Sequence, residues 1–368
     1  MADLFPVGGP VPAEDVVDRA EFIEQVETRL LDRHSVVLSA PRRLGKSSVA
    51  YEVLRRLRDD EGCYTAAVDL STVSTLRDLA ERLIAAAIAN VAPSVRAALT
   101  VRQSLGKLVR MPEVRAKMHD LDLSLSLRPG EEPRPDVLLD EALSLPERLA
   151  AREERRFVVL LDEFQTAAAI GGPALLAKMR GTFQVQQHTA FLFLGSQAGT
   201  MAQIFGNRSK PFFRFATLLD LPPVPDEAWR VYMRRRLAER QIAVDDGAIE
   251  VILAYTGGHP YDTMQVAYEA HLLARRSRQI DARIAGAACL EAESHLRSIF
   301  EAELDALGSR GRVLLGRIAR REPLYAGERA SGTVDHTLQN LIRQGMVRRI
   351  ARGRYELVEP MLARHMLA

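Results

Sequence analysis

The chain has 368 residues, of which 47% are hydrophobic, and it carries a formal net charge of +2. This length suffices for large hydrophobic cores in two or three domains. No apolar run is long enough to span a membrane, and the two cysteines, Cys63 and Cys289, lack metal-ligand spacing. These features exclude a membrane protein and a disulfide framework. We therefore expect a cytoplasmic protein without a membrane partner.

The first predicted helix covers residues 13 to 33 and has Phe22, Val26 and Leu30 on one face at four-residue spacing. Asp18 and Arg19 lie near its start. Two interpretations of this pair stay open. Either it lies over the base of a bound nucleotide, or it is a solvated pair that caps the helix.

A phosphate-binding loop comes next. A β-branched apolar run at residues 36–38 leads into a tight turn, and Gly45, Lys46 and Ser47 open a helix predicted at 48–58. In this motif the backbone N–H groups surround the phosphates, the lysine reaches the β- and γ-phosphates, and the serine hydroxyl binds Mg²⁺. The helix N-terminus adds a favourable dipole. The residues expected to bind ATP or ADP here are Ala40, Pro41, Arg42, Arg43, Leu44, Gly45, Lys46, Ser47 and Ser48.

The loop departs from the motif at its first position, because Ala40 stands where a glycine is usual. A methyl group is tolerated there as long as φ stays negative. Gly45 is harder to replace, because it is pressed against phosphate.

The core continues after the helix at 48–58 and is then interrupted by a predicted insertion. A second strand is predicted at 65–70 and an apolar helix at 76–88, and the pattern then changes from about residue 90 to 135. Leucines at every second position from 121 to 127 alternate with polar residues, which predicts a half-exposed strand. A proline- and glycine-containing turn at 129–133 ends it, and a helix is predicted at 137–152.

Two carboxylates follow the next buried strand. Residues 156–161 are a nearly continuous apolar run, as in a strand buried on both faces of a parallel sheet, and Asp162 and Glu163 end it. Open α/β sheets bind ligands at this carboxyl edge. Asp162 suits coordination of Mg²⁺, either directly or through a ligand of the ion, and Glu163 suits polarisation of the attacking water. Together with the loop, these residues predict an ATPase core that hydrolyses ATP to ADP and phosphate.

A fourth strand at 189–194 ends in a polar residue, Ser196. This residue either contacts the γ-phosphate or orients water, the role called sensor 1, or it is a loop hydroxyl without a role. A fifth strand is predicted at 217–221, and three prolines between 222 and 225 mark a domain boundary.

The remainder reads as two smaller domains. Residues 226 to about 300 are helical and arginine-rich, interrupted at 256–260, as in the helical lid of P-loop ATPases. Two helices and two strands then follow in the order of a winged helix-turn-helix. We predict an α/β P-loop domain at 1–221, a helical lid at 222–300 and a winged helix at 301–368.

Positive charge is concentrated at this C-terminal end. Between residues 309 and 358 there are eleven arginines and four acids, a net charge of +7. This suits contacts with the phosphates of double-stranded DNA. The helix at 333–344 would present Gln339 and Arg343 to the major groove, and Arg352 and Arg354 on the wing would bind phosphate. The alternative is a winged helix that binds a protein partner.

With these motifs in view, the chain resembles the archaeal-type ATPase family in the STAND branch of P-loop NTPases, which is related to AAA+ proteins. Paired arginines before Gly-Lys and the Gly-Gly-His-Pro sequence at 257–260 are the more specific signs. The resemblance implies a five-stranded parallel sheet, and it implies that His259 and Pro260 approach the nucleotide from the lid. No arginine follows that turn closely, which favours the STAND assignment over an AAA+ sensor-2 arrangement.

The leading hypothesis is an Mg²⁺-dependent ATPase whose nucleotide state switches the lid and a DNA-binding winged helix. The alternatives are a slowly hydrolysing switch that holds a regulatory protein, and a replication-initiator-like ATPase. AAA+ relatives place an arginine finger near the position of Arg214, so we expect Arg214 to contact phosphate, in cis or from a neighbouring copy in a homo-oligomer. Arg208 is the second candidate, and a structural ion pair of Arg214 is the alternative.

Overall fold

The computed structural model describes residues 4–91, 134–325 and 331–367. The strand and turn predicted between residues 121 and 133 lie outside these described residues.

A parallel sheet of five strands forms the centre of the nucleotide-binding part. Its strands pair in the order β2-β3-β4-β1-β5, and all of these pairs are parallel, which confirms the predicted α/β P-loop fold. The carboxyl ends of all five strands therefore meet at one edge. The strands are β1 (Val36–Ser39), β2 (Tyr64–Asp69), β3 (Phe157–Asp162), β4 (Thr189–Gly195) and β5 (Thr217–Asp220).

Helices cover both faces of this sheet, since its central strands are buried on both sides. Val36 and Leu38 pack into one hydrophobic layer, whereas Val37 packs into the other, as the two-residue period of a strand requires. The first layer contains α1 and α2, and the second contains α3, α4 and α5. The helices are α1 (Ala20–Leu31), α2 (Lys46–Asp59), α3 (Leu76–Ala89), α4 (Pro135–Arg152), α5 (Ala167–Phe183) and α6 (Ala198–Gly206).

The first helix is shorter than predicted. It begins at Ala20 and not at residue 13, and a separate 3₁₀ turn covers Ala13–Asp15. Asp18 has a φ of 52°, in the left-handed region, so a helix cannot continue through it. Asp15 is buried where the Tyr232 hydroxyl donates to it at 2.6 Å, which draws this segment toward a distant helix and away from α1.

The part after residue 222 is largely helical, as predicted. One hydrophobic cluster joins Leu4 and Phe5 to side chains from Val224 through Leu362. Helix α10 (Ala282–Ala306) continues without a break through residue 300, where the lid is predicted to end. The division into three domains stays a prediction. The elements are α7 (Asp226–Ala238), β6 (Ala243–Val244), α8 (Asp246–Thr256), α9 (Pro260–Leu273), β7 (Gln279–Ile280), α10 (Ala282–Ala306), α11 (Gly308–Ala319), α12 (Ser331–Arg343), β8 (Val347–Ala351), β9 (Arg354–Leu357) and α13 (Pro360–His365).

Strands β8 and β9 form an antiparallel hairpin. None of the helices in the described ranges combines the length and the apolar character needed to cross a bilayer.

Candidate nucleotide site

The phosphate loop connects the carboxyl end of β1 to α2, which begins at Lys46. Gly45 and Arg43 have φ values of 85° and 64°, so the loop turns through the left-handed region twice. Ala40 is not among the described residues with positive φ, so its methyl group causes no backbone strain. The loop therefore accommodates the departure from the glycine motif.

The ammonium group of Lys46 lies inside this loop. Its Nζ donates to the Pro41 carbonyl at 2.8 Å, and the side chain is buried. Burial lowers the pKa of Lys46 to about 8, although the nearby carboxylates of Glu163 and Asp162 oppose the shift. A phosphate group in the loop would add negative charge beside this buried cation and so favour its charged form.

Two oxygen ligands of the kind that Mg²⁺ prefers lie together beside the lysine. The Ser47 hydroxyl donates to Asp162 Oδ2 at 3.2 Å. Burial raises the pKa of Asp162, because the charged carboxylate is shielded from water at this position. The described residues contain no cluster of three or more histidine, cysteine or acidic side chains that could hold a metal by itself. Mg²⁺ needs only one or two protein oxygens, since substrate phosphates and water complete its coordination, so these residues fit it.

The predicted water-activating carboxylate has two partners. Ser196 Oγ donates to Glu163 Oε2 at 2.7 Å, and Gln165 Nε2 donates to the same oxygen. Ser196, which was predicted to sense phosphate, thus forms a hydrogen bond with Glu163 in the structure. Gln165 was missed as a functional candidate. The only signal in the sequence was its position two residues after Glu163, which does not specify a contact.

A cavity of about 410 Å³ opens beside the loop. Its walls are mostly apolar, as is typical of small-molecule sites, and they come from the loop, from α2, from the N-terminal segment and from helices α7 and α9. Arg19 lines this cavity and is 5% exposed, so it is not a solvated cap. Its Nη1 donates to the Pro223 carbonyl at 3.4 Å, and burial lowers its pKa. Other lining residues are Val17, Leu44, Ser48, Val49, Trp229, Pro260, Tyr261 and Met264.

The turn at residues 257–260, between α8 and α9, places its two predicted nucleotide-binding residues differently. Pro260 lines the cavity, whereas the buried His259 does not. His259 Nδ1 accepts a hydrogen bond from Asp262 N at 3.5 Å and so caps α9. Its Nε2 has no hydrogen-bond partner within the described ranges. The contact of Pro260 with a nucleotide stays a prediction, and His259 lies behind it.

Arg214 does not join this site within one chain. It is exposed, and its guanidinium lies 5.2 Å from the centre of the Phe213 ring. It precedes the amino end of β5 by three residues, whereas the phosphate loop lies at the carboxyl end of the sheet. Arg208 is likewise exposed. A contact with phosphate in cis has no geometric support, and a contact in trans stays a prediction.

The predicted DNA contacts are exposed. Gln339 and Arg343 lie on the outer face of α12, and Arg352 and Arg354 lie at the tip of the β8–β9 hairpin. The opposite face of α12 is formed by the buried Val334, Leu338 and Leu341, as the periodicity predicted.

The comparison with protein families decides the class. A model of an ATPase domain predominantly from Archaea matches residues 16–266. The chain belongs to this ATPase family. It is a P-loop ATPase, and the loop, Asp162 and Glu163 all lie within the matched residues.

Solved structures share the fold of this ATPase over nearly its whole length. A Walker-type ATPase of Pyrococcus abyssi is 19% identical with a TM-score of 0.72 and covers 100% of both chains. The Aeropyrum pernix ORC2 protein, solved as ADPNP–ADP complexes, is 14% identical with a TM-score of 0.59 over 99% of this chain and 96% of that one. The Aeropyrum pernix ORC1 protein, solved with DNA, is 16% identical with a TM-score of 0.50 over 95% and 92%. No curated protein matches the chain.

Proposed function

We propose that this ATPase is Mg²⁺-dependent and that its nucleotide state controls a DNA-binding winged helix formed by α11, α12 and the β8–β9 hairpin. The order of these elements and the exposed arginines on the hairpin support the winged helix. ORC1, whose fold this chain shares, was solved in complex with DNA. We also place the chain in the STAND branch, on the sequence resemblance alone.

The residues of the site divide the work of hydrolysis. Lys46 and the loop amides hold the phosphates. Ser47 and Asp162 would hold Mg²⁺, which would supply neutralisation of the phosphate charge. Glu163 accepts a proton from water as the water oxygen bonds to the γ-phosphorus. The bond to the bridging oxygen breaks, and ADP leaves. Lys46 therefore acts on bound substrate and product alike, whereas Glu163 acts in the transition state.

The observation that carries the coupling is a direct contact between the phosphate loop and the C-terminal region. Arg43 Nη1 donates to Glu359 Oε1 at 2.6 Å, and Arg43 Nη2 donates to Glu303 Oε1 at 3.2 Å. A phosphate that engages Arg43 must compete with these carboxylates. Nucleotide therefore has different contacts when the C-terminal region is docked and when it is released, as a population shift requires.

The same docking limits the access of DNA to α12, the proposed recognition helix. The chain after α12 passes so close to the site that a Cβ at Gly345 would lie 2.9 Å from the Ser196 carbonyl oxygen. A Cβ at Gly199, on α6, would lie 3.6 Å from Arg343 Cγ. The C-terminal end of α12 is thus held against the ATPase core, and its release would free that end for a major groove.

Two alternatives use the same contacts. In the first, the C-terminal module holds a regulatory protein and turnover is slow. In the second, the protein is replication-initiator-like, which the shared fold with ORC2 and ORC1 favours.

The test measures ATP turnover, ATP affinity and affinity for duplex DNA in wild type, Lys46→Ala and Glu163→Gln. We expect Lys46→Ala to lose tight ATP binding, and Glu163→Gln to bind ATP but not hydrolyse it. We expect duplex to bind the ATP state more tightly and to stimulate turnover. Normal turnover in Glu163→Gln would remove it from the base role. If no duplex binds with salt-dependent affinity, with or without ATP, the partner-binding switch replaces the DNA hypothesis.

A further inference from the structure

A buried glutamine lies beside the proposed catalytic carboxylate. Gln165 is 8% exposed and belongs to the 3₁₀ turn Phe164–Thr166 that follows β3. Its Nε2 donates to Glu163 Oε2, and it also donates to Ser196 Oγ at 3.3 Å. At the carboxyl edge of the sheet, Gln165 therefore contacts both Glu163 and Ser196.

The hydrogens in this group can be arranged in only one way that satisfies the carboxylate. Ser196 has a single hydroxyl proton, which it donates to Glu163 Oε2, so its oxygen accepts from Gln165. If the Gln165 amide were flipped, its oxygen would face the charged oxygen of Glu163. The amide must therefore present its NH₂ group, and Glu163 Oε2 accepts two hydrogen bonds.

The position of the Gln165 amide leaves its oxygen, Oε1, buried without a hydrogen-bond partner within the described ranges. It lies beside Gly195, where an added Cβ would be 2.8 Å from Oε1 and 2.4 Å from Met201 Cγ. A side chain at residue 195 would displace the amide. A buried acceptor without a partner is uncommon in proteins, and a functional constraint is one reason to retain it.

The backbone of Glu163 adds to the need for support. Its φ of 50° and ψ of 43° are left-handed, which is unusual for a residue other than glycine. Both donors bind Oε2, and among the described residues no hydrogen bond reaches Oε1. Oε1 is thus available to accept the proton of a water molecule. The two hydrogen bonds on Oε2 set the orientation of the carboxylate and therefore the direction in which Oε1 points.

We propose that Gln165 is a positioning residue for hydrolysis, which acts with Ser196 to fix the carboxylate of Glu163 toward the attacking water. This inference rests on the proposed base role of Glu163. In this proposal Ser196 binds the carboxylate of Glu163 and not the γ-phosphate. Gln165 then affects the rate of hydrolysis only when Glu163 is present.

Gln165→Met removes the donors while keeping a side chain of similar length. We expect kcat to fall about tenfold to hundredfold, because a misplaced catalytic group loses rate on that scale. ATP affinity should change by less than about twofold, since no hydrogen bond of Gln165 within the described residues reaches the loop. Gln186→Met is the matched control. Gln186 Nε2 donates to the Leu143 carbonyl at 2.8 Å and its Oε1 is likewise unpartnered in the described residues, but it lies away from the site. It should lower Tm and leave kcat unchanged.

A double-mutant cycle separates positioning from a structural role. In the Glu163→Gln background, Gln165→Met should change the residual single-turnover rate by less than about twofold. An unchanged kcat in Gln165→Met, or an equal loss in both backgrounds, overturns the proposal. Ser196→Ala, a smaller change, should show the same dependence on Glu163 and provides the test if Gln165→Met fails to fold. Loss of turnover in Glu163→Gln together with normal turnover in Gln165→Met rejects this inference alone, whereas normal turnover in Glu163→Gln rejects the base role itself.

Discussion

Arg43 and Glu359 join the phosphate loop to the C-terminal region, with Nη1 and Oε1 2.6 Å apart across 316 residues of sequence. Burial alone would lower the pKa of Arg43, but the charges of Glu359 and Glu303 outweigh it and raise that pKa. The guanidinium also lies 5.1 Å from the centre of the Tyr261 ring on α9. The Arg43 side chain therefore contacts both α9 and the C-terminal region, and under the proposed coupling it is the place where nucleotide binding and docking compete.

Glu359→Gln should weaken this docking and so reduce the dependence of DNA binding on nucleotide. We expect the duplex affinity of the nucleotide-free protein to rise about tenfold, equivalent to about 1.4 kcal/mol, toward that of the ATP state. Fluorescence anisotropy of a labelled duplex, with and without a non-hydrolysable ATP analogue, measures it. Glu322→Gln is the control, since Glu322 pairs with Arg320 at 2.9 Å on the surface. An unaltered nucleotide dependence in Glu359→Gln contradicts the coupling.

ATP affinity should fall as the pH rises through about 8, because burial lowers the pKa of Lys46 to about 8 in the free protein. Phosphate favours the charged lysine and raises its pKa, so binding takes up protons near this pH. Calorimetry at pH 8 in two buffers of different ionisation enthalpy measures the uptake. Lys46→Arg, which stays charged, should show none from this position. Equal proton uptake by both proteins would assign the protons to other groups.

Replacing Arg352 and Arg354 together with alanine should weaken binding to all duplexes alike. Both are exposed and form no ion pair among the described residues, so they are free for phosphate. The salt dependence should flatten by about one unit of slope for each lost contact. Titrations at several salt concentrations with two unrelated duplexes provide the measurement. Arg312 and Arg320, which pair with acidic side chains, serve as the control double substitution. A loss restricted to one sequence would point to base contacts.

Arg214→Ala should lower turnover if Arg214 reaches the phosphate of a neighbouring copy, since an arginine finger contributes about 10³ or more in rate. Its exposure and its distance from the loop of its own chain along β5 favour the contact in trans. Mixing Arg214→Ala with Lys46→Ala should then restore part of the activity, because one mixed interface keeps both groups. Arg208→Ala is the parallel test of the second candidate. Full activity of Arg214→Ala alone would leave only a structural role for this arginine.

The sequence by itself determined the sheet, the phosphate loop and the paired carboxylates. Each of these is encoded locally. Apolar runs predict the strands, and Gly45, Lys46 and Ser47 predict the loop. The two carboxylates follow the apolar run of β3, which predicts their place at the carboxyl edge of the sheet. The five strands and the apolar face of α12 follow the same local periodicity. The coarse fold and the core of the site could therefore be predicted without coordinates.

Only the tertiary structure decided which of these residues meet. The first helix begins at Ala20 because Asp18 is left-handed, and the burial of Arg19 depends on the chain near Pro223. The pairing of Arg43 with Glu359 and the hydrogen bond of Gln165 to Ser196 join segments that are distant in sequence. The hydrogen bond of Gln165 to Glu163 depends on the left-handed backbone of Glu163. Such contacts depend on how helices pack around the sheet, and packing directions are set by the whole core and not by the spacing of neighbouring residues.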